Sequence, residues 1–121
     1  MTLEDASRIY KALFWDTLNL DSVNSTKIAL VVFDQSVLRG PKRVVQAAQR
    51  ACGATPDGDL GPKTVAALNA ANENAVVLDI IADSATHYTR IVAANPSQAM
   101  FLQGWTNRYF DLLNFCFRGK V

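Results

Sequence analysis

Histidine, glutamate and cysteine are all scarce in this 121-residue chain. Histidine occurs once, at His87, and glutamate only at Glu4 and Glu73. One imidazole excludes a histidine-based metal cluster and leaves a Ser-His-Asp triad poorly supported. No metal and no cofactor are expected. The two cysteines, Cys52 and Cys116, form no C-x-x-C pair; they either close one disulfide or sit as small buried hydrophobes. No apolar run reaches the roughly 18 residues that a membrane-spanning helix needs, so membrane insertion is not expected. An excess of one charge is missing as well: 12 Lys and Arg stand against 11 Asp and Glu, a net charge of +1. That balance builds no field to draw in nucleic acid, and none is expected as a partner. The nearest thing to a basic stripe, Arg39, Lys42, Arg43 and Arg50, reads as a solvated helix face. The N-terminal "MTLEDASRIYKALFWD" has neither the basic nor the apolar region of a signal peptide.

What is present is apolar content, 50% of the chain, arranged with helical rather than strand periodicity. Thr2 and Asp5 form a weak capping box ahead of Ala6, Ile9, Tyr10, Leu13 and Phe14. "LNLDSVNS" reads as a loop, with Asn24 or Ser25 capping a second helix that buries Ile28, Val31, Val32 and Gln35. Gly40 is expected to end it in a left-handed conformation, and Pro41 to open a third helix. That helix turns Val44, Val45, Ala48, Ala51 and Cys52 inward and Lys42, Arg43, Gln46, Gln49 and Arg50 outward, and Gly53 stops it. A fourth helix is expected from Pro62 to about Asn72 and a fifth from about Ala75 to Ala94. A sixth, capped by Ser97, carries Leu102, Trp105, Tyr109, Leu112 and Cys116. The fold class is all-α, with about six helices.

The most sharply punctuated stretch is "TPDGDLGPKTVAALNA", Thr55 to Ala70. Asp57-Gly58 is a turn dipeptide, Gly61 falls at the N-cap, and Pro62 takes the first helical position. Thr64 is the third helical residue, and Leu60 and Val65 have the spacing of a hydrophobic staple. Asp57 or Asp59 is positioned to accept the free N–H groups of the first turn. The stretch serves either as helix-start chemistry alone or as a ligand-binding edge whose two aspartates accept hydroxyls.

In order along the chain, "IYKALFWD", "VVFDQSVLRGPKRVVQAAQRACG", "DGDLGPKTVAAL" and "FLQGWTNR" resemble the phage endolysin and secretion-activator muramidases of glycoside hydrolase family 108 and their C-terminal predicted peptidoglycan-binding region. The likeness runs from about Leu3 to Leu113. It implies a helical, lysozyme-like protein directed at bacterial peptidoglycan, in the cell envelope or periplasm or in phage lysis. The family cuts the glycan with the glutamate of an N-terminal E-G-G-Y motif, and neither Glu4 nor Glu73 is followed by Gly-Gly-Tyr. Leu38 also stands where the family usually carries asparagine.

The expectation is therefore a muramidase-like portion lacking its catalytic segment: residues 1–40 as a helical remnant and 41–121 as the peptidoglycan-binding region, together one compact unit. It binds peptidoglycan without cutting it. Glu4, in a first helical turn, and Glu73, expected in an exposed loop, are poor general acids. The weak catalytic candidates are Asp16 and Asp34, which would make the chain an active muramidase of altered chemistry. Tyr10, Trp15, Asp57, Asp59 and Arg108 are the candidate glycan contacts. The last helix is apolar nearly all round at Phe110, Phe115 and Phe117, which suits a missing N-terminal segment or a homodimer partner. A structural or interaction protein pairing through that face is the remaining reading.

Overall fold

The computed structural model describes residues 2–118, apart from the side chains of Leu3, Glu4, Ser7, Tyr10, Tyr109 and Arg118. Six α-helices and no strand occur among the described residues: α1 (Leu3–Tyr10), α2 (Thr26–Arg39), α3 (Pro41–Cys52), α4 (Pro62–Ala70), α5 (Glu73–Ala94) and α6 (Leu102–Arg118). The chain divides into two compact units, Met1–Ile80 and Ile81–Val121.

In the first unit, Thr2 Oγ1 accepts the Asp5 N–H at 3.1 Å, and Asp5 Oδ2 accepts the Thr2 N–H at 3.2 Å. This is the expected capping box, with aspartate in the glutamate position. The Thr2 N–H bond, foremost, holds the Asp5 carboxyl below its ordinary value. After Tyr10 the helix widens into a π-turn, Lys11–Asp16. The segment expected to be a loop contains a 3₁₀ turn, Leu20–Ser22, entered through Asn19 in the left-handed region at φ 55°. Leu20 and Val23 are buried and anchor it to the core.

Ser25 caps α2 through a bond from the Ile28 N–H, 3.2 Å long. Ile28, Val31, Val32 and Gln35 are all buried on one face, as their spacing predicts. Gly40 departs from expectation. Its φ of 91° is positive, but its ψ of 140° is not left-handed helical. The cause is Pro41, whose ring pushes the preceding residue toward high ψ. Gly40 thus closes α2 and opens α3 at once.

Helix α3 buries Val44, Val45, Ala47, Ala48 and Gln49 and ends at Gly53, at φ 79° and ψ 16°. Gln49 was expected on the outer face and is instead 0% exposed. It lies four residues after Val45, so helical geometry places it on the core stripe. Ala51 and Cys52 are only half-buried. Helix α4 stops at Ala70, short of Asn72. The Asn72 side chain accepts the Ala75 N–H at 3.0 Å, which starts α5 at Glu73, earlier than its apolar pattern suggests.

In the second unit, Asn95 rather than Ser97 is the cap. Its side chain accepts both the N–H and the hydroxyl of Ser97 and starts the 3₁₀ turn Pro96–Phe101 that leads into α6. Tyr88 stacks on Trp105 with ring centroids 4.4 Å apart and an interplanar angle of 14°. Phe101 lies against the same indole at 5.9 Å. Leu112 and Cys116 are buried, and both cysteines are free thiols.

A Cβ added at Gly40 or Gly53 meets no atom within 4 Å, so the cost of alanine there is backbone strain alone. Gly40→Ala is expected to destabilise by about 1–3 kcal/mol and Gly53→Ala by about 1–2 kcal/mol. Urea denaturation followed by far-UV circular dichroism measures both.

Candidate functional site

The turn before α4 is built on α3. Gln49 Nε2 lies 2.8 Å from Asp57 Oδ1, 3.0 Å from the Asp59 carbonyl and 3.0 Å from Thr64 Oγ1. Its Oε1 accepts the Gly58 N–H at 2.9 Å. A primary amide has two hydrogens to donate, so one of them is shared among the three acceptors. Gln46 adds a bond to the Pro56 carbonyl at 3.3 Å. Gly58 adopts φ 81°, and a Cβ there would come within 2.7 Å of Lys42 Cγ. Only glycine gives both that conformation and that approach.

Asp57 and Asp59 therefore have different roles. Asp57 Oδ1 also accepts the Asp59 N–H at 2.9 Å, an Asx turn. That backbone bond first, and then the Gln49 amide, hold the Asp57 carboxyl below its ordinary value of 3.8. Asp57 ties the loop to α3 instead of capping the first turn of α4, and Gly61 caps α4 without a side-chain bond. Asp59 is exposed, and its Oδ2 lies beside Gly61, 3.8 Å from where a Cβ there would stand. Thr64 faces the turn, as expected.

A second polar feature in the same unit is a pocket of about 310 Å³ lined by Asn24, Ser25, Leu68, Asn69, Ala71 and Glu73. Glu73 is half-buried and not in a loop. Its Oε2 accepts the Ser25 hydroxyl at 2.5 Å, and its Oε1 lies 3.6 Å from Lys27 Nζ. Asn69 Oδ1 accepts the Asn24 N–H at 2.8 Å, and Asn69 Nδ2 donates to the Ser22 carbonyl at 3.2 Å. Two amides and a partly neutralised carboxylate give this pocket the groups to hydrogen-bond a neutral polar ligand. Sequence reasoning missed it because its bonds join residues 45 to 48 positions apart. Only the capping role of Ser25 had a local signal.

The remaining candidates are dispersed. Trp15 is half-buried, donates Nε1–H to Asp21 at 2.8 Å and meets Phe33 edge-on at 5.7 Å. Asp16 forms an exposed ion pair with Lys11 at 2.9 Å, and the Asp16 bond holds the Lys11 ammonium above its ordinary value. Asp34 is half-buried and accepts from Gln35 Nε2 at 3.1 Å. The side chain of Tyr10 lies outside the described residues. Arg108 is exposed on α6, in the second unit. Leu38 is exposed near the end of α2.

Two outcomes follow from the Gln49 linkage. Gln49→Ala removes the acceptor of the part-buried Gly58 N–H and the nearest partner of the buried Thr64 hydroxyl, and is expected to cost about 3 kcal/mol, read as a lowered urea midpoint. For Asp57, a depressed carboxyl stabilises the fold above the unfolded value near 3.8 and loses that effect as pH falls through the lower folded value. Thermal melts should therefore show wild type losing stability below about pH 4 more steeply than Asp57→Asn.

The fold resembles the solved structure of Brucella abortus SagA, with a TM-score of 0.77 and 22% sequence identity. The match covers 93% of this chain and 62% of that one, so this chain spans less than two thirds of that protein's length. No curated protein matches the chain significantly. Residues 1–40 match the glycosyl hydrolase 108 family, and residues 40–110, more than half of the chain, match the predicted peptidoglycan domain family. The chain belongs to the predicted peptidoglycan domain family, and its first 40 residues are similar to part of the glycosyl hydrolase 108 family.

Proposed function

We propose that this chain binds bacterial peptidoglycan as a helical module of a muramidase-like protein and does not cut glycan by itself. The family membership supports peptidoglycan as the partner and a cell-wall setting. The observation that carries the second half is the state of the glutamates. The sequence contains no E-G-G-Y, and Glu73 is committed to Ser25 and Lys27. Cleavage needs a carboxylic acid poised over the leaving oxygen. Asp16 is exposed and ion-paired with Lys11, without the apolar enclosure of a general acid's site. The envelope, periplasm or phage lysis is the finer setting we propose, with the functional division near residue 40, where the two family matches meet.

For glycan contact we propose the exposed Asp59, with Asp57 shaping its turn, together with Trp15 and Tyr10. Arg108 would serve a carboxylate on the stem peptide. A second reading rests on one observation: Phe110 and Phe117 are 59% and 42% exposed on α6. Phe115, half-buried between them, belongs to the same stretch. That surface suits a second copy of the chain or another segment of a longer protein.

The chain is expected to co-sediment with purified sacculi and to leave the turbidity of permeabilised Gram-negative cells unchanged. Clearing that disappears in Asp16→Asn or Asp34→Asn would overturn the non-cutting reading. Failure to co-sediment, together with a concentration-dependent dimer in sedimentation velocity, would favour the interaction-protein reading.

A further inference from the structure

We infer that the pocket at Asn24, Ser25, Leu68, Asn69, Ala71 and Glu73 is a subsite for the acetamido group of an N-acetylated hexosamine, an inference that rests on the peptidoglycan reading above. Three observations lead there. The first is size: at about 310 Å³ the pocket is at the small end of ligand sites, which run from about 300 to 1,000 Å³. It suits one sugar ring and its substituent rather than an oligosaccharide.

The second is charge. Lys27 Nζ stands 3.6 Å from Glu73 Oε1, so the carboxylate is offset and the rim favours a neutral group over an ammonium or a carboxylate. Stem peptides carry both of those charged groups, and the glycan's acetamido groups carry neither.

The third is the hydrogen-bonding capacity left over. Ser25 is used, since its hydroxyl donates to Glu73 and accepts from the Ile28 N–H. Asn69 is anchored at both ends, to the Asn24 N–H and the Ser22 carbonyl, and fixes the rim. The exposed side-chain amide of Asn24, the second hydrogen of Asn69 Nδ2 and the remaining lone pairs of Glu73 stay open to a ligand. An acetamido group presents one carbonyl acceptor, one N–H donor and one methyl. The carbonyl meets the asparagine amides, the N–H meets Glu73, and the methyl meets the apolar wall at Ala71, backed by the buried Leu68. A sugar with hydroxyls alone leaves that apolar wall unmatched.

The experiment is chemical-shift mapping of the ¹⁵N-labelled 121-residue chain, titrated with N,N′,N″-triacetylchitotriose and, separately, with cellotriose, which has the same linkage without acetamido groups. Triacetylchitotriose should shift the amides of Asn24, Asn69, Ala71 and Glu73, and cellotriose should not. Asn24→Ala, an exposed side chain, and Glu73→Gln should each weaken binding about tenfold, the loss of one good hydrogen bond. Equal shifts from both sugars, shifts confined to other residues, or an undiminished affinity in Asn24→Ala and Glu73→Gln would overturn the inference. Absent shifts with sacculi still co-sedimenting would overturn it while leaving the peptidoglycan reading intact. Absent shifts with no co-sedimentation would overturn both.

Discussion

The buried amide of Gln49 is the interaction on which the arrangement of the first unit depends. A primary amide offers donors and an acceptor on one planar group, and here both ends are used by a side chain that is itself fully buried. Through it α3 holds a carboxylate, a carbonyl, a hydroxyl and a backbone N–H from the segment between Asp57 and Thr64. The loop thus has few alternatives to its observed course, because each of those groups would lose its partner on moving. The start of α4 and the positions of Thr64 and Asp59 all follow. Glycine at position 58 completes the contact by letting the loop backbone reach α3.

A second set of polar bonds does the same for the other end of α4. Asn69 and Glu73 flank the turn between α4 and α5, and they bind the segment before α2 through Ser22, Asn24 and Ser25. Asn69 fixes the backbone directly, and Glu73 does so through the side chains of Ser25 and Lys27. That is how a rigid scaffold presents a polar pocket without loops that must reorder on binding. It also explains why the carboxylate of Glu73 suits positioning better than proton transfer: its two oxygens already answer a hydroxyl and an ammonium.

The likeness to Brucella abortus SagA is one of all-helical fold, and membership of the predicted peptidoglycan domain family supplies the link to the cell wall. The dispersed aromatic and acidic side chains are consistent with the binding role proposed above. A binding module gains affinity from several modest contacts along an extended polymer, whereas glycan cleavage concentrates two carboxylates about one bond. The two stacked aromatics of the second unit, Tyr88 and Trp105, spend their area on each other, which gives them a packing role.

The sequence by itself determined the helical class, the order of the helices and most of their ends. These are local matters: Thr2 and Ser25 as caps, Pro41 and Pro62 at first positions and Gly53 at a C-terminus act through bonds a few residues long. The α2 core face was equally legible, since Ile28, Val31, Val32 and Gln35 carry the helical period. Local reasoning erred where two signals competed at one residue, as at Gly40, where a following proline overrode the usual helix stop. It erred again at Gln49, where polarity suggested solvent and periodicity indicated the core. Only the tertiary structure decided that Gln49 would find four partners, that Asp57 would bind α3 rather than cap α4, and that Glu73 would face Ser25. Those outcomes depend on which segments meet across tens of residues, and a buried polar group declares its partner only when the chain has folded around it.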